Sequence, residues 1–215
     1  MFVFARALKA FEVTTGQKLS RPDLDGAFSL GIKVGRRSLD VLAMDFAGSI
    51  RLRESLDYDF PEPSTVFGAI SDRIASIQSR LGAHAQRLVG VGVAAPLWLG
   101  GWRDFLSAPA DTTRDWETID IRDEIQRMTS LPVEFAKDTA AACAAELVMG
   151  RGRNLRNFLY LFIGTFIGGG LVVDGNLHRG PHGNAGAVGS LPLPGERGEP
   201  GRQVLHNASG LGLEQ

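Results

Sequence analysis

The chain has 215 residues, 44% of them hydrophobic and 22% charged, with a formal net charge of -1. This composition suits a globular protein with room for one large or two small domains, and near-neutrality gives the bulk of the chain no electrostatic reason to bind nucleic acid. A single cysteine, Cys143, excludes an internal disulfide framework and fits a cytoplasmic location; no apolar run is long enough to span a membrane, and Arg6 and Lys9 interrupt the opening Met1-Phe2-Val3-Phe4 too early for a signal peptide.

Residues 1–26 are mixed and end in the turn-rich, basic stretch Gly16 to Pro22, which reads as a linker or remnant arm. Alternating apolar residues then predict strands over 27–34, 39–46 and 49–58, a β-meander broken by Pro61 and Pro63. Ser64 is expected to cap a helix running to Leu81, since Val66, Phe67, Ile70, Ile74, Ile77 and Leu81 recur at helical spacing and Gly82 supplies a stop. A strand over Leu88 to Ala95 ends at Pro96. Leu97 to Trp116 shows no period and holds all three tryptophans, the pattern of a long loop. A helix over Ile119 to Thr129, a strand over Pro132 to Ala136 and an alanine-rich helix over Thr139 to Met149 follow, the last closed by Gly150. Inside it Cys143 reads as a small buried apolar side chain rather than a nucleophile. A strand over Asn157 to Ile163, a glycine-rich turn over Gly164 to Gly170 and a strand over Leu171 to Asp174 complete the series.

The order β-β-β-α-β-α-β-α, followed by a fresh hairpin, predicts an α/β fold of the ribonuclease H-like, actin/hexokinase type. Residues 27–150 would form the first lobe and 151–215 the start of an incomplete second one. Glycines permit positive φ and let consecutive N–H groups converge on an anion, so the turn at Gly164, Thr165, Gly168, Gly169 and Gly170 is a candidate phosphate cradle. Gly90-Val91-Gly92-Val93 fits a dinucleotide fingerprint on paper, but it lies within a strand that runs into Pro96 and has no helix to present. His178, His182 and His206 show no metal-ligand spacing.

The stretch Gly164 to Ser190 resembles the second phosphate loop and signature of the ROK family, which groups bacterial sugar kinases with sugar-responsive repressors. The signature ends Gly-x-Ala-Gly-Glu-x-Gly-His; here it is Gly183-Asn184-Ala185-Gly186-Ala187-Val188-Gly189-Ser190. Ala187 and Ser190 thus stand where the resemblance implies a Glu and a His that bind sugar hydroxyls, the His doubling as a zinc ligand. The three family cysteines are absent around Pro194 to Arg202, so no metal site is expected. Gly31 to Ser38 takes the place of the first phosphate loop, Asp-x-Gly-Gly-Thr-Lys, with Lys33 for the Asp and Arg36 and Arg37 for Gly and Thr. Lys33, Gly35 and Arg36 are then loop remnants; losing the acid removes an anchor for Mg²⁺. Lys137-Asp138-Thr139-Ala140 aligns with Asn-Asp-Ala-Asn, whose Asp is the catalytic base, though Asp138 could equally cap its helix. Phe166 replaces a glycine and either would be strained at positive φ or would fill with its ring the space a phosphate would use.

These departures, with the fold-forming pattern intact, are similar to the family's transcriptional-regulator branch. They imply a kinase-like body, truncated at both ends, that senses a carbohydrate through Lys137, Asp138, Gly169, Gly170, Gly186, Ala187 and Ser190. It would act as a homo-oligomer and reach DNA only through a domain absent from this chain, without a cofactor. The alternative is an ATP- and Mg²⁺-dependent sugar kinase with Asp138 as base, and a structural interaction protein is a third.

Overall fold

A computed structural model describes residues 25–97, 99, 115–194 and 202–210. The chain forms two compact units, Met1–Ala136 and Lys137–Gln215. The arm expected over 1–26 lies almost wholly outside the described residues, as do residues 98 and 100–114 of the expected loop.

The first unit is built on a five-stranded sheet in the order β3-β2-β1-β4-β5. Its strands are β1 (Phe28–Val34), β2 (Ser38–Asp45), β3 (Ile50–Asp57), β4 (Leu88–Ala95) and β5 (Val133–Lys137). β1 to β3 are antiparallel, whereas β4 returns parallel to β1, as a crossover through a helix requires. Alternation aims Leu30, Ile32, Val34, Leu39, Val41 and Val93 at one face, all nearly or fully buried. Helix α1 (Pro63–Leu81) covers that face with Val66, Ile70, Ile74 and Ile77. Ser64 is not its cap: Glu62 holds the N-cap position and Pro63 the first helical turn, where a missing N–H costs nothing and the fixed φ favours entry. Gly82, at φ 56°, ends the helix as expected. Truncating Ile70, wholly buried here, to alanine is expected to cost about 2–5 kcal/mol in urea unfolding.

Helix α2 (Ile121–Met128) starts two residues later than anticipated, because the Asp120 side chain accepts the Asp123 N–H at 3.1 Å and fixes the N-cap there. Trp116 is buried, its Nε1 donating to the Pro61 carbonyl at 2.6 Å and its ring tilted against Phe67. The outer edge strand β3 is guarded by charge. Arg53 pairs with Asp40 at 2.8 Å, and Glu54 accepts from Ser76 and Arg80.

In the second unit, β6 (Phe158–Ile163), β7 (Ile167–Val173) and β8 (Asn176–His178) form an antiparallel meander. β7 and β8 are joined by Asp174-Gly175, both at positive φ, the two-residue turn that matches strand twist. Helix α3 (Asp138–Met149) packs on β7. The expected boundary near residue 150 lies at the far end of this helix, which packs against Gly168 and Gly170 of the second sheet and falls in the unit Lys137–Gln215. A short helix α4 (Val204–Ala208) closes the described part.

One expected element is corrected here. Gly168, Gly169 and Gly170 are not in a turn but in strand β7, paired with Phe162, Leu161 and Tyr160. The turn is only Gly164 to Phe166, and Phe166 does not have positive φ, so the strain expected of it is absent.

Candidate functional site

The β7 glycines are there for contact. A Cβ on Gly170 would lie 2.3 Å from the Cys143 Cβ, one on Gly168 2.7 Å from the Thr139 Cγ2, and one on Gly169 2.5 Å from the Tyr160 carbonyl. All three lie far inside van der Waals contact, so Gly168 and Gly170 must be bare for α3 to seat and Gly169 for Tyr160 and the Gly186 segment to pack. None of the three has positive φ, and an extended strand points successive N–H groups to opposite sides. The run therefore does not fit a phosphate-cradling nest, which needs converging N–H groups.

Against the other side of β7 lies the signature segment. A Cβ on Gly186 would fall 2.5 Å from backbone atoms of Gly169 and Gly170, and one on Gly189 2.5 Å from the Ile167 carbonyl. Gly180 and Gly183, at φ 69° and 71°, bend the chain into this segment, and the Ala185 N–H closes the bend on the Arg179 carbonyl at 3.1 Å. Asn184 to Ala187 then forms a turn, the Ala187 N–H donating to the Asn184 carbonyl at 3.3 Å, and Ser190 is exposed beyond it.

Lys137 holds α3 to this segment. It occupies the N-cap position of the helix and its Nζ donates to the Asn184 Oδ1 at 2.6 Å. Burial lowers its pKa, an effect the neighbouring Asp138 charge partly opposes. Asp138 is half-buried at the first helical position, its Oδ1 accepting the Thr139 N–H at 2.7 Å. The Thr139 Oγ1 is buried with no partner. Cys143 has no exposed surface, and burial pushes its thiol up to about 11, the condition of an inert thiol.

Lys137, Asp138, Gly168, Gly169, Gly170, Gly186 and Ala187 thus come together in one unit. Gly164 stands apart at the tip of the β6–β7 turn, its carbonyl accepting the Gly210 N–H at 2.9 Å, with Thr165 beside it and the Ser209 Oγ accepting from Ile167. Asn184 was not among the expected site residues; nothing local in the sequence couples it to Lys137.

Lys33, Gly35 and Arg36 belong to the first unit, where the β1–β2 connection is a hairpin closed on itself. The Gly35 N–H donates to the Ser38 carbonyl at 2.9 Å, and the Tyr58 hydroxyl donates to the Gly35 carbonyl at 2.8 Å. Lys33 sits opposite Asp40 in register. Burial alone would raise the Asp40 pKa, but hydrogen bonds from Ser55 and Arg53 outweigh it and hold the carboxyl below its usual range. The same unit has a cavity of about 210 Å³ at the end of β4, lined by Pro96, Leu97, Trp116, Asp120 and Phe135 among others.

Among the described residues no three His, Cys, Asp or Glu side chains group to hold a metal. The His206 Nδ1 instead accepts the Gln203 N–H at 3.0 Å. The stretch 195–201, where the resemblance implies cysteine ligands, lies outside the described residues. No described helix is long and apolar enough to cross a membrane.

The model of the ROK family matches residues 29–215. The chain belongs to the ROK family. Both of its branches are among the relatives. The xylose repressor of Bacillus spizizenii is 26% identical over 190 residues, 85% of this chain and 49% of the repressor. The glucokinase of Halalkalibacterium halodurans is 28% identical over 176 residues, 80% of this chain and 52% of the kinase. Among solved ROK structures, a transcriptional regulator homologous to the E. coli MLC protein aligns with a TM-score of 0.67 at 22% identity, covering 94% of this chain and 52% of the regulator. A Streptomyces griseus glucokinase, solved with glucose and AMPPNP, aligns with a TM-score of 0.63 at 21% identity, covering 78% and 51%. These establish the α/β fold as the ribonuclease H-like, actin/hexokinase type. The chain spans about half the length of the ROK relatives it matches.

Proposed function

We propose that this chain is the sugar-sensing, effector-binding body of a ROK-type transcriptional regulator, cytoplasmic and homo-oligomeric, with residues 1–26 as connector to a DNA-binding domain outside this sequence. The observation that carries this reading is the fate of the second glycine run. Gly168 to Gly170 are spent on seating α3 and the Gly186 segment, not on an anion cradle. The first loop is a self-closed hairpin with Lys33 where a kinase needs an acid. The reading is supported by the grouping in one unit of the residues to which the resemblance would give a carbohydrate: Lys137, Asp138, Gly169, Gly170, Gly186 and Ala187, with Ser190 beyond. An ATP-dependent sugar kinase remains the second reading, favoured by the half-buried Asp138 at the start of α3, a suitable post for a general base.

The test couples two measurements. In a thermal-shift panel of sugars, a true effector at about 100 times its dissociation constant should stabilise the chain by roughly 2.7 kcal/mol. In gel shifts at physiological salt, this chain alone should show no operator preference, because its formal net charge of -1 offers little of the cationic surface that phosphate contact needs. A reading frame extended upstream by a helix-turn-helix should bind and release DNA when the sugar is added. Silence across the sugar panel, or operator-specific binding by this chain alone, overturns the reading.

A further inference from the structure

We infer that the ligand of the second unit is a sugar bearing an anionic group, a carboxylate or a phosphate, which pairs with the Lys137 ammonium beside Ala187; this rests on the sugar-binding reading above. Three observations carry it. First, Lys137 is partly buried as a residue, and its ammonium, at the exposed side, donates to a neutral oxygen, the Asn184 Oδ1. A lysine has three donors, and among the described residues no ion pair joins Nζ to a carboxylate; the adjacent Asp138 acts on it through its charge alone and only partly offsets its burial. A partly buried charge in that state gains most from a counter-ion.

Second, the Asn184 that Lys137 holds also begins the turn closed by the Ala187 N–H, so the ammonium is tied to the first residue of the turn that contains Ala187. Ala187 stands where the resemblance places a glutamate. By the resemblance, one negative charge is thus missing from the turn while a positive one is added at the N-cap residue that reaches it. An acid supplied by the ligand restores the balance that the protein side chain no longer provides. Third, Arg179, exposed and tied to the same bend through its carbonyl, is the segment's other cationic residue, while its signature residues Gly183 to Ser190 contain no acid.

The experiment is titration calorimetry of the 215-residue chain with glucuronate, glucose 6-phosphate and glucose, the first two separating carboxylate from phosphate. At least one anion should bind ten-fold or more tightly than glucose. Lys137→Asn should cut that preference at least ten-fold, Lys137→Arg should keep it, and Ala187→Glu, which refills the turn with an acid, should abolish it. Arg153→Gln removes the same charge from an exposed segment remote from this turn and should leave the preference intact. Circular dichroism melts check that each variant folds, and Ala187→Glu gives an independent answer if Lys137→Asn does not. Glucose binding with no anion preference, or a preference insensitive to both Lys137→Asn and Ala187→Glu, overturns this inference and spares the sugar-binding reading. If none of the three sugars binds, both fall.

Discussion

Replacing Gly186 with valine is expected to unseat the second unit. A Cβ there lies 2.5 Å from the Gly169 carbonyl group and the Gly170 Cα. These are backbone atoms of a central strand and cannot swing aside as a side-chain tip would. Overpacking of this kind costs about 1–3 kcal/mol and occasionally more, and because all three near atoms are backbone the upper end, about 3 kcal/mol, is expected. That is a large share of a domain stability of roughly 5–15 kcal/mol. Urea unfolding followed by far-UV circular dichroism should show the midpoint fall. Gly68 provides the contrast. It lies in α1 with nothing within 4 Å of its missing Cβ, so Gly68→Ala should stabilise by up to about 1 kcal/mol. A valine at 186 tolerated as well as an alanine at 68 would show that the seam is looser than these contacts imply.

The second large effect is catalytic. An assay coupling ADP release to sugar phosphorylation is expected to show no ATP- and Mg²⁺-dependent turnover, against rates on the order of 1–100 s⁻¹ for kinases. Phosphoryl transfer depends on positioning and charge neutralisation. On the proposed reading, Lys33 stands where the resemblance implies the first loop's acid and Ala187 and Ser190 stand where it implies sugar-gripping residues, while the second glycine run is a packed strand. Turnover that Asp138→Asn abolishes would reinstate the kinase reading.

Much of the first unit was legible because its side chains obey a period. Helix α1 and strands β1, β2 and β4 follow from where Ile, Val and Leu recur, while the entries to α1 and α2 were misplaced; at α1, Ser64 is a common cap and the sequence does not say that Pro63 already has helical φ. The Gly168 to Gly170 run was illegible for the opposite reason. With no side chains it has no period, and what makes it a strand is the bulk of Thr139, Cys143 and the Gly186 segment, which only tertiary structure brings near. The Asp174-Gly175 pair did carry a hairpin signal, unused in a reading that ended the strand at Asp174 and so left out β8. The Lys137–Asn184 hydrogen bond had no local signal at all. Family resemblance placed Lys137, Asp138 and Gly186 in one functional group, but not the side chain that ties the first of them down.

The seating of α3 on β7 makes the chain's single cysteine a clock. Cys143 is sealed between the helix and Gly170, with no exposed surface and a thiol pKa of about 11, so the folded state offers an alkylating reagent neither access nor thiolate. Every labelling event must wait for the helix to lift away. The rate at which a thiol reagent consumes this protein therefore reads out the opening of one helix–strand seam, without mutation and without an added probe. Any ligand that binds the closed seam should slow that clock in proportion to its occupancy.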